Sequence, residues 1–247
     1  MLRWAIPSFR LPVNILDREI SRLRRMGITF KQSVKLGTNI SLENLKNNFH
    51  ALILALGCPA PQTLDIEGVQ TDGVYYALDF LRQVRSGANM KVGKKVVVIG
   101  GGDVALDAAQ TALRLGAEDV QVACLESEQE MPAHNYLLHG AIQEGVQVQY
   151  ARGPVRIKTD AGKIQAVEFK RCIQVFDQTG NFAPLFDDQH TFMEEADSVV
   201  ISIGQKQDYT GMQSLYSAKT LDWEPLTRQS NEEKIFLAGD LITGPSS

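Results

Sequence analysis

The sequence is poor in cysteine, has no long apolar run and no block of like charge, and each absence removes a class of function. Cys58, Cys124 and Cys172 stand far apart with no C-x-x-C pair. A redox-active dithiol and a cysteine-ligated zinc or iron–sulfur site therefore lack a ligand set, and three reduced, mostly buried thiols are expected. His50, His134, His139 and His190 lack metal-ligand spacing, so no metal residue is named. The strongest apolar run, residues 51–56, is far too short to cross a bilayer. Arg3, Pro7, Arg10 and Pro12 break the first fifteen residues where a signal peptide needs an unbroken apolar core, and the expected location is cytoplasmic. The formal net charge is −4 with both signs interspersed, which offers no footprint to nucleic acid or to an anionic membrane.

What is present is ordinary globular material: 247 residues, 44% hydrophobic and 22% charged, enough for one large domain or two small ones. Leu16, Ile20 and Leu23 recur at helical spacing between Pro12 and Gly27. The other face of that helix carries Arg18, Arg22 and Arg25, either as a solvated face or as a docking surface for an acidic partner. Ser41 is placed to cap a short helix over 42–47, and the apolar run at 50–57 reads as a strand buried on both faces. A helix over 77–84 leads into a polar link, 85–93, that reads as a domain boundary. Strand 95–100, helix 104–115 and strand 120–125 then form a parallel crossover. A helix over 135–144, a strand at 146–150 and antiparallel hairpins over 155–193 follow, with turns at 160–162 and 177–180. The run at 198–203 returns to the parallel sheet. Residues 205–233 read as irregular, 234–240 as a last strand, and a helix is expected to begin at Gly244.

The crossover carries the chemistry. Gly100-x-Gly102-x-x-Ala105 matches the dinucleotide fingerprint. Gly100 permits the tight turn, Gly102 lets backbone N–H groups approach a pyrophosphate, and Ala105 permits close helix–sheet packing. Gly101, Asp103 and Val104 complete the turn and open the helix, whose positive end faces the phosphates. Glu126, with Ser127 beside it, stands at the end of the second strand, where a carboxylate accepts from the adenosine ribose and repels a 2′-phosphate. No Lys or Arg lies between Arg114 and Arg152, so NAD(H) is expected over NADP(H). Gly204 closes the returning strand. Residues 87–94 are no P-loop, because five residues separate the glycines and Lys95 stands where Ser or Thr is needed. No Tyr is followed four residues later by Lys, which removes the short-chain dehydrogenase pair. His134 and His139 fall beside the crevice and read as surface histidines before catalytic ones. Hydride transfer needs positioning more than a protein acid or base, so no catalytic residue is named.

Several segments together resemble the glutamate synthase small-subunit group of FAD-dependent NAD(P)H oxidoreductases, within the pyridine nucleotide-disulfide oxidoreductase superfamily. They are Ile6-Pro-Ser-Phe-Arg-Leu-Pro12, 73–81, 96–116, Glu130-Met-Pro-Ala133, Glu168-Phe-Lys-Arg171, 196–205 and 235–247. The resemblance implies an α/β fold in which a Rossmann-like nicotinamide domain with a parallel sheet, 91–204, is inserted into an incomplete FAD-type α/β domain formed by 1–90 and 205–247. It implies hydride transfer from NAD(P)H to flavin and onward to an iron–sulfur centre or a partner subunit. It also implies that Asp240 bonds the flavin ribityl chain, that Gly239 permits its approach, and that Ala55 and Gly57 lie near the flavin. Leu125 and Glu126 stand where NADPH-binding members carry arginines. The family's first, flavin-binding glycine fingerprint is not found in this sequence, so a fragment truncated at both ends is expected, with FAD weakly held or absent and little or no activity alone. A non-catalytic NAD(H)-binding regulatory or interaction module is the other reading.

Overall fold

The helix expected after Pro12 forms as α1 (Val13–Arg25), which buries only Leu16 and ends in Arg22, Arg24 and Arg25, cations suited to a helix C-terminus. The computed structural model describes residues 1–217 and 220–245. The Ser41 hydroxyl accepts from the Asn44 N–H and caps α2 (Leu42–Asn48). The short strands β1 (Leu52–Leu54), β2 (Ala60–Pro61) and β3 (Val74–Tyr76) follow, the last running into α3 (Ala77–Arg85). Next come β4 (Lys95–Ile99), α4 (Asp103–Arg114) and β5 (Asp119–Ala123), then α5 (Asn135–Gln143) and β6 (Gln147–Gln149). The long strands β7 (Arg152–Asp160), β8 (Lys163–Phe176) and β9 (Phe182–Glu195) precede β10 (Ser198–Ile201). After β11 (Gln205–Lys206), a 3₁₀ turn at Gln213–Leu215 leads to β12 (Tyr216–Ser217) and β13 (Thr220–Leu221). The described chain ends with β14 (Ile235–Leu237) and α6 (Asp240–Thr243).

Two compact units result, one of residues 1–19 and 63–204, the other of 20–62 and 205–247. In the first, a parallel sheet runs β3-β10-β4-β5-β6, with Val96 opposite Val120 and Ser198 opposite Val96. Both faces of this sheet are covered, as parallel sheets require. On one face Val96, Val98, Val120 and Val122 meet Phe80 and the fully buried Ala105, Ala108, Ala109 and Ala112 of α4. On the other, Val97, Ile99, Val199 and Ile201 meet Ile157, Val167 and Phe169 of the antiparallel sheet β7-β8-β9.

β3 pairs with β10, Val74 against Val199, and Phe80 and Leu81 of α3 enter the core, so the unit reaches back to Thr63. Residues 1–19 join it through side-chain anchors: Arg85 Nε donates to the Arg3 carbonyl at 3.0 Å, and the Arg114 guanidinium lies 3.8 Å over the Phe9 ring.

In the second unit β1 and β14 pair in parallel, Leu52 opposite Ile235, over a core of Leu42, Leu54, Met212, Leu215, Leu237 and Leu241. One expectation fails here. β1 buries one face only, because Ile53 alternates outward and is 71% exposed. The short α6 starts at Asp240 and is closed by Gly244 at φ +75°, and the helix expected after Gly244-Pro245 lies outside the described residues. Among the described residues no helix is long and apolar enough to cross a membrane.

Candidate nucleotide-binding site

The three glycines after β4 do different work. Gly100 has φ +134°, and a Cβ there would stand 2.1 Å from the Ser202 carbonyl oxygen. Its N–H donates to the Ala123 carbonyl at 2.8 Å while the Ser202 N–H donates to that of Ile99, so three strand ends meet at a residue that must be glycine. Gly101 is crowded from outside the turn: a Cβ would lie 2.9 Å from Glu126 Oε2, 3.0 Å from Cys124 Cβ and 3.3 Å from Pro132 Cδ. Gly102 has an ordinary φ of −90°, and a Cβ there would meet no atom of the described residues within 4 Å. Nothing among the described residues demands glycine at 102. The space lies at the start of α4, whose N-cap offers no side-chain acceptor to the first N–H groups. An anion fits such a cradle, with backbone donors facing it and no Cβ in its way.

The fingerprint residues Gly100 to Ala105 thus gather at the C-terminal end of β4, between β5 and β10, where the order of the sheet reverses and open α/β sheets bind ligands. Ala105 is fully buried against the sheet and Val104 half-buried. Glu126 follows β5 and lays its half-buried carboxylate against Gly101. Burial lifts its pKa above the usual carboxylate value, and the nearby Glu130 charge adds to the rise. The Cys124 thiol, buried beneath it, is pushed up to about 12 by burial and by Glu126. Ser127 Oγ donates to Glu130 Oε2 at 2.6 Å. Gly204 is exposed beyond the C-terminal end of β10.

Two pairs beside this turn left no signal in the sequence, because their partners are far apart along the chain. Asp103 accepts from the His134 backbone N–H at 2.9 Å and from His134 Nδ1 at 2.8 Å. Arg10 Nη1 donates to Asp107 Oδ2 at 2.7 Å across 97 positions. Asp107 is buried, its Oδ1 has no hydrogen-bond partner among the described residues, and burial outweighs Arg10 so that its carboxyl sits above the ordinary range.

The remaining residues singled out from the sequence lie in the other unit. Ala55 and Gly57 follow β1, and Gly239 and Asp240 follow β14. The Ala238 N–H donates to the Leu54 carbonyl at 3.0 Å, and Cys58 Sγ donates to the Asp240 carbonyl at 3.2 Å, which holds these two strand ends together.

The profile of the pyridine nucleotide-disulphide oxidoreductases matches residues 15–247. The chain belongs to this family. Subunit beta of the NADPH-Fe(3+) oxidoreductase of Geobacter sulfurreducens is 34% identical over 216 residues, 84% of this family member and 32% of that subunit. The glutamate synthase (NADPH) small chain of Azospirillum brasilense is 26% identical over 264 residues, covering 100% of this chain and 55% of that one. A point mutant of FprA from Mycobacterium tuberculosis superposes on the whole chain with a TM-score of 0.81 at 16% identity, over 70% of its own length. The Rossmann-like α/β fold expected from the sequence is shared with it. The chain spans about a third to a half of the length of these two curated relatives.

Proposed function

We propose that the chain binds a nicotinamide dinucleotide at the Gly100–Gly102 turn, as the nicotinamide-binding portion of an FAD-dependent NAD(P)H oxidoreductase like the glutamate synthase small subunit. The observation that carries this reading is Gly102, a glycine with ordinary backbone angles, at a helix N-terminus, that no atom of the described residues requires. In this reading Gly101, Gly102, Asp103 and Val104 present the backbone to the pyrophosphate, and Glu126 and Ser127 take the adenosine ribose. Gly204 borders the crevice from β10. The bound nicotinamide supplies the hydride, and the chain's own residues bind and orient it.

We assign the nicotinamide role to residues 91–204 and the flavin role to pieces within 1–90 and 205–247, among which 20–62 and 205–247 share one compact unit. Ala55, Gly57, Gly239 and Asp240 would face FAD. The chain holds a single glycine fingerprint of this kind, so we assign it weak FAD binding by itself, to be read as flavin content after purification. Relatives named as a subunit beta and a small chain support an electron-accepting partner subunit or iron–sulfur domain. Three free thiols support a reducing, cytoplasmic setting.

The Glu126 carboxylate favours NAD(H), although these relatives' names carry NADPH. Calorimetric titration with NADH and NADPH tests both points. NADH binding more tightly, with Glu126→Gln moving the ratio toward NADPH, is the expected result, and tighter NADPH binding by the unaltered chain overturns the preference. Binding of neither dinucleotide overturns the function. Reduction of a dye acceptor by NADH with added FAD supports the enzyme, whereas binding without any turnover supports the non-catalytic NAD(H)-binding module.

A further inference from the structure

We propose that Glu130 is a positioning residue that sets the choice between the two nicotinamide dinucleotides: it holds the Ser127 hydroxyl proton, so that Ser127 turns acceptor lone pairs to the adenosine ribose where a 2′-phosphate would need a donor. The proposal rests on the reading above. The two cofactors differ at one group of that ribose. A free 2′-hydroxyl donates a hydrogen bond, whereas a 2′-phosphate is an anion whose oxygens accept. Discrimination between them is therefore a matter of which way the protein's hydroxyl protons point, as well as of charge.

Ser127 Oγ donates to Glu130 Oε2 at 2.6 Å, and the Ser127 N–H leans toward the same oxygen at 3.4 Å. A serine hydroxyl has one proton and two lone pairs, so once the proton is committed to a carboxylate the oxygen can only accept from anything else. Glu126, the residue before it, accepts as well. The pairing is held in place by the backbone on both sides of Glu130. Its own N–H donates to the Ser127 carbonyl at 3.1 Å, which closes a turn over 127–130. Met131 is then buried, Pro132 lies beside Gly101, and the Ala133 N–H donates to the Gly101 carbonyl at 3.1 Å. The segment that carries Glu130 is thus tied to the glycine turn.

The charge of Glu130 acts less than its contact does. The residue is exposed, where salt screens its repulsion of a phosphate, but screening does not break a direct hydrogen bond to a neighbour. The antiparallel sheet does not return the missing donor. Arg152, whose N–H donates to the Cys124 carbonyl at 2.7 Å, lays its guanidinium 3.3 Å over the Phe192 ring and turns Nη1 to the Tyr150 carbonyl at 3.3 Å. The charge of Arg171, opposite Arg152 on β8, bears on Asp187.

Calorimetric titration of the whole chain with NADH and with NADPH reads the ratio of the two affinities. Glu130→Ala releases the Ser127 proton, and the ratio should move about tenfold toward NADPH, the worth of one hydrogen bond to a charged group. Adding Ser127→Ala should remove that gain, so that the double variant has the ratio of Ser127→Ala alone. A purely structural role for Glu130 would weaken both dinucleotides together and leave the ratio where it was. Glu130→Leu, nearer in size and without an acceptor, gives the same reading should alanine disturb the turn. A ratio that neither variant moves, or a gain that survives Ser127→Ala, overturns the proposal while the dinucleotide site stands. Binding of neither dinucleotide by the unaltered chain overturns the site and the proposal with it.

Discussion

Replacing Gly102 with alanine would put a methyl group into space that no atom of the described residues fills, at a φ any residue accepts. Urea unfolding should therefore show stability unchanged or raised by up to about 1 kcal/mol, while calorimetry shows NADH affinity down about tenfold or more. Gly100→Ala is the opposite experiment. The new Cβ must avoid the Ser202 carbonyl in a left-handed backbone, and the same unfolding curve should register a loss of about 2–4 kcal/mol. Asp107 gives a pH signature. Its folded carboxyl is raised by burial despite Arg10, so the native chain holds the proton longer than the unfolded chain. Its contribution to stability is therefore present at acid pH and is lost as pH rises from about 4 through the folded value. Arg10→Met removes the counter-charge and should cost about 1–3 kcal/mol more at pH 7 than at pH 4, seen by urea unfolding at the two pH values.

At the scale of elements, the crossover was legible because its signals are local. The β-branched run of β4, the alanine face of α4 and the glycines at both helix ends lie within some thirty residues and need no distant partner to be read. The elements that were misread are the short ones, whose character is set by what they pair with. β3 is three half-buried residues with no periodic pattern, and only its ladder with β10 makes it a strand. β1 looked like a strand buried on both faces because Ala51 to Leu56 is apolar throughout, yet Ile53 faces out. Ile53→Lys should change stability by no more than about 0.5 kcal/mol, whereas Leu54→Ala, in the core beside Leu237, should cost about 2–4 kcal/mol in the same unfolding assay.

At the scale of the molecule, the two compact units allow the site to be located without a bound structure. At a NADH concentration of about a hundred times Kd, binding should add about 2.7 kcal/mol to hydrogen-exchange protection in β4 and α4. Amides of β1 and β14, in the other unit, should keep their protection, and equal protection in both units would remove the assignment of the site to the first. The sequence by itself determined the glycine turn between β4 and α4, because glycine geometry, helix polarity and strand preference act over a few bonds. The tertiary structure alone decided that the first unit reaches back to Thr63, that Glu126 folds onto Gly101, and that Asp103 and Asp107 have His134 and Arg10 as partners. Those choices depend on which distant strand ends and charges are buried together, and no local preference carries that information.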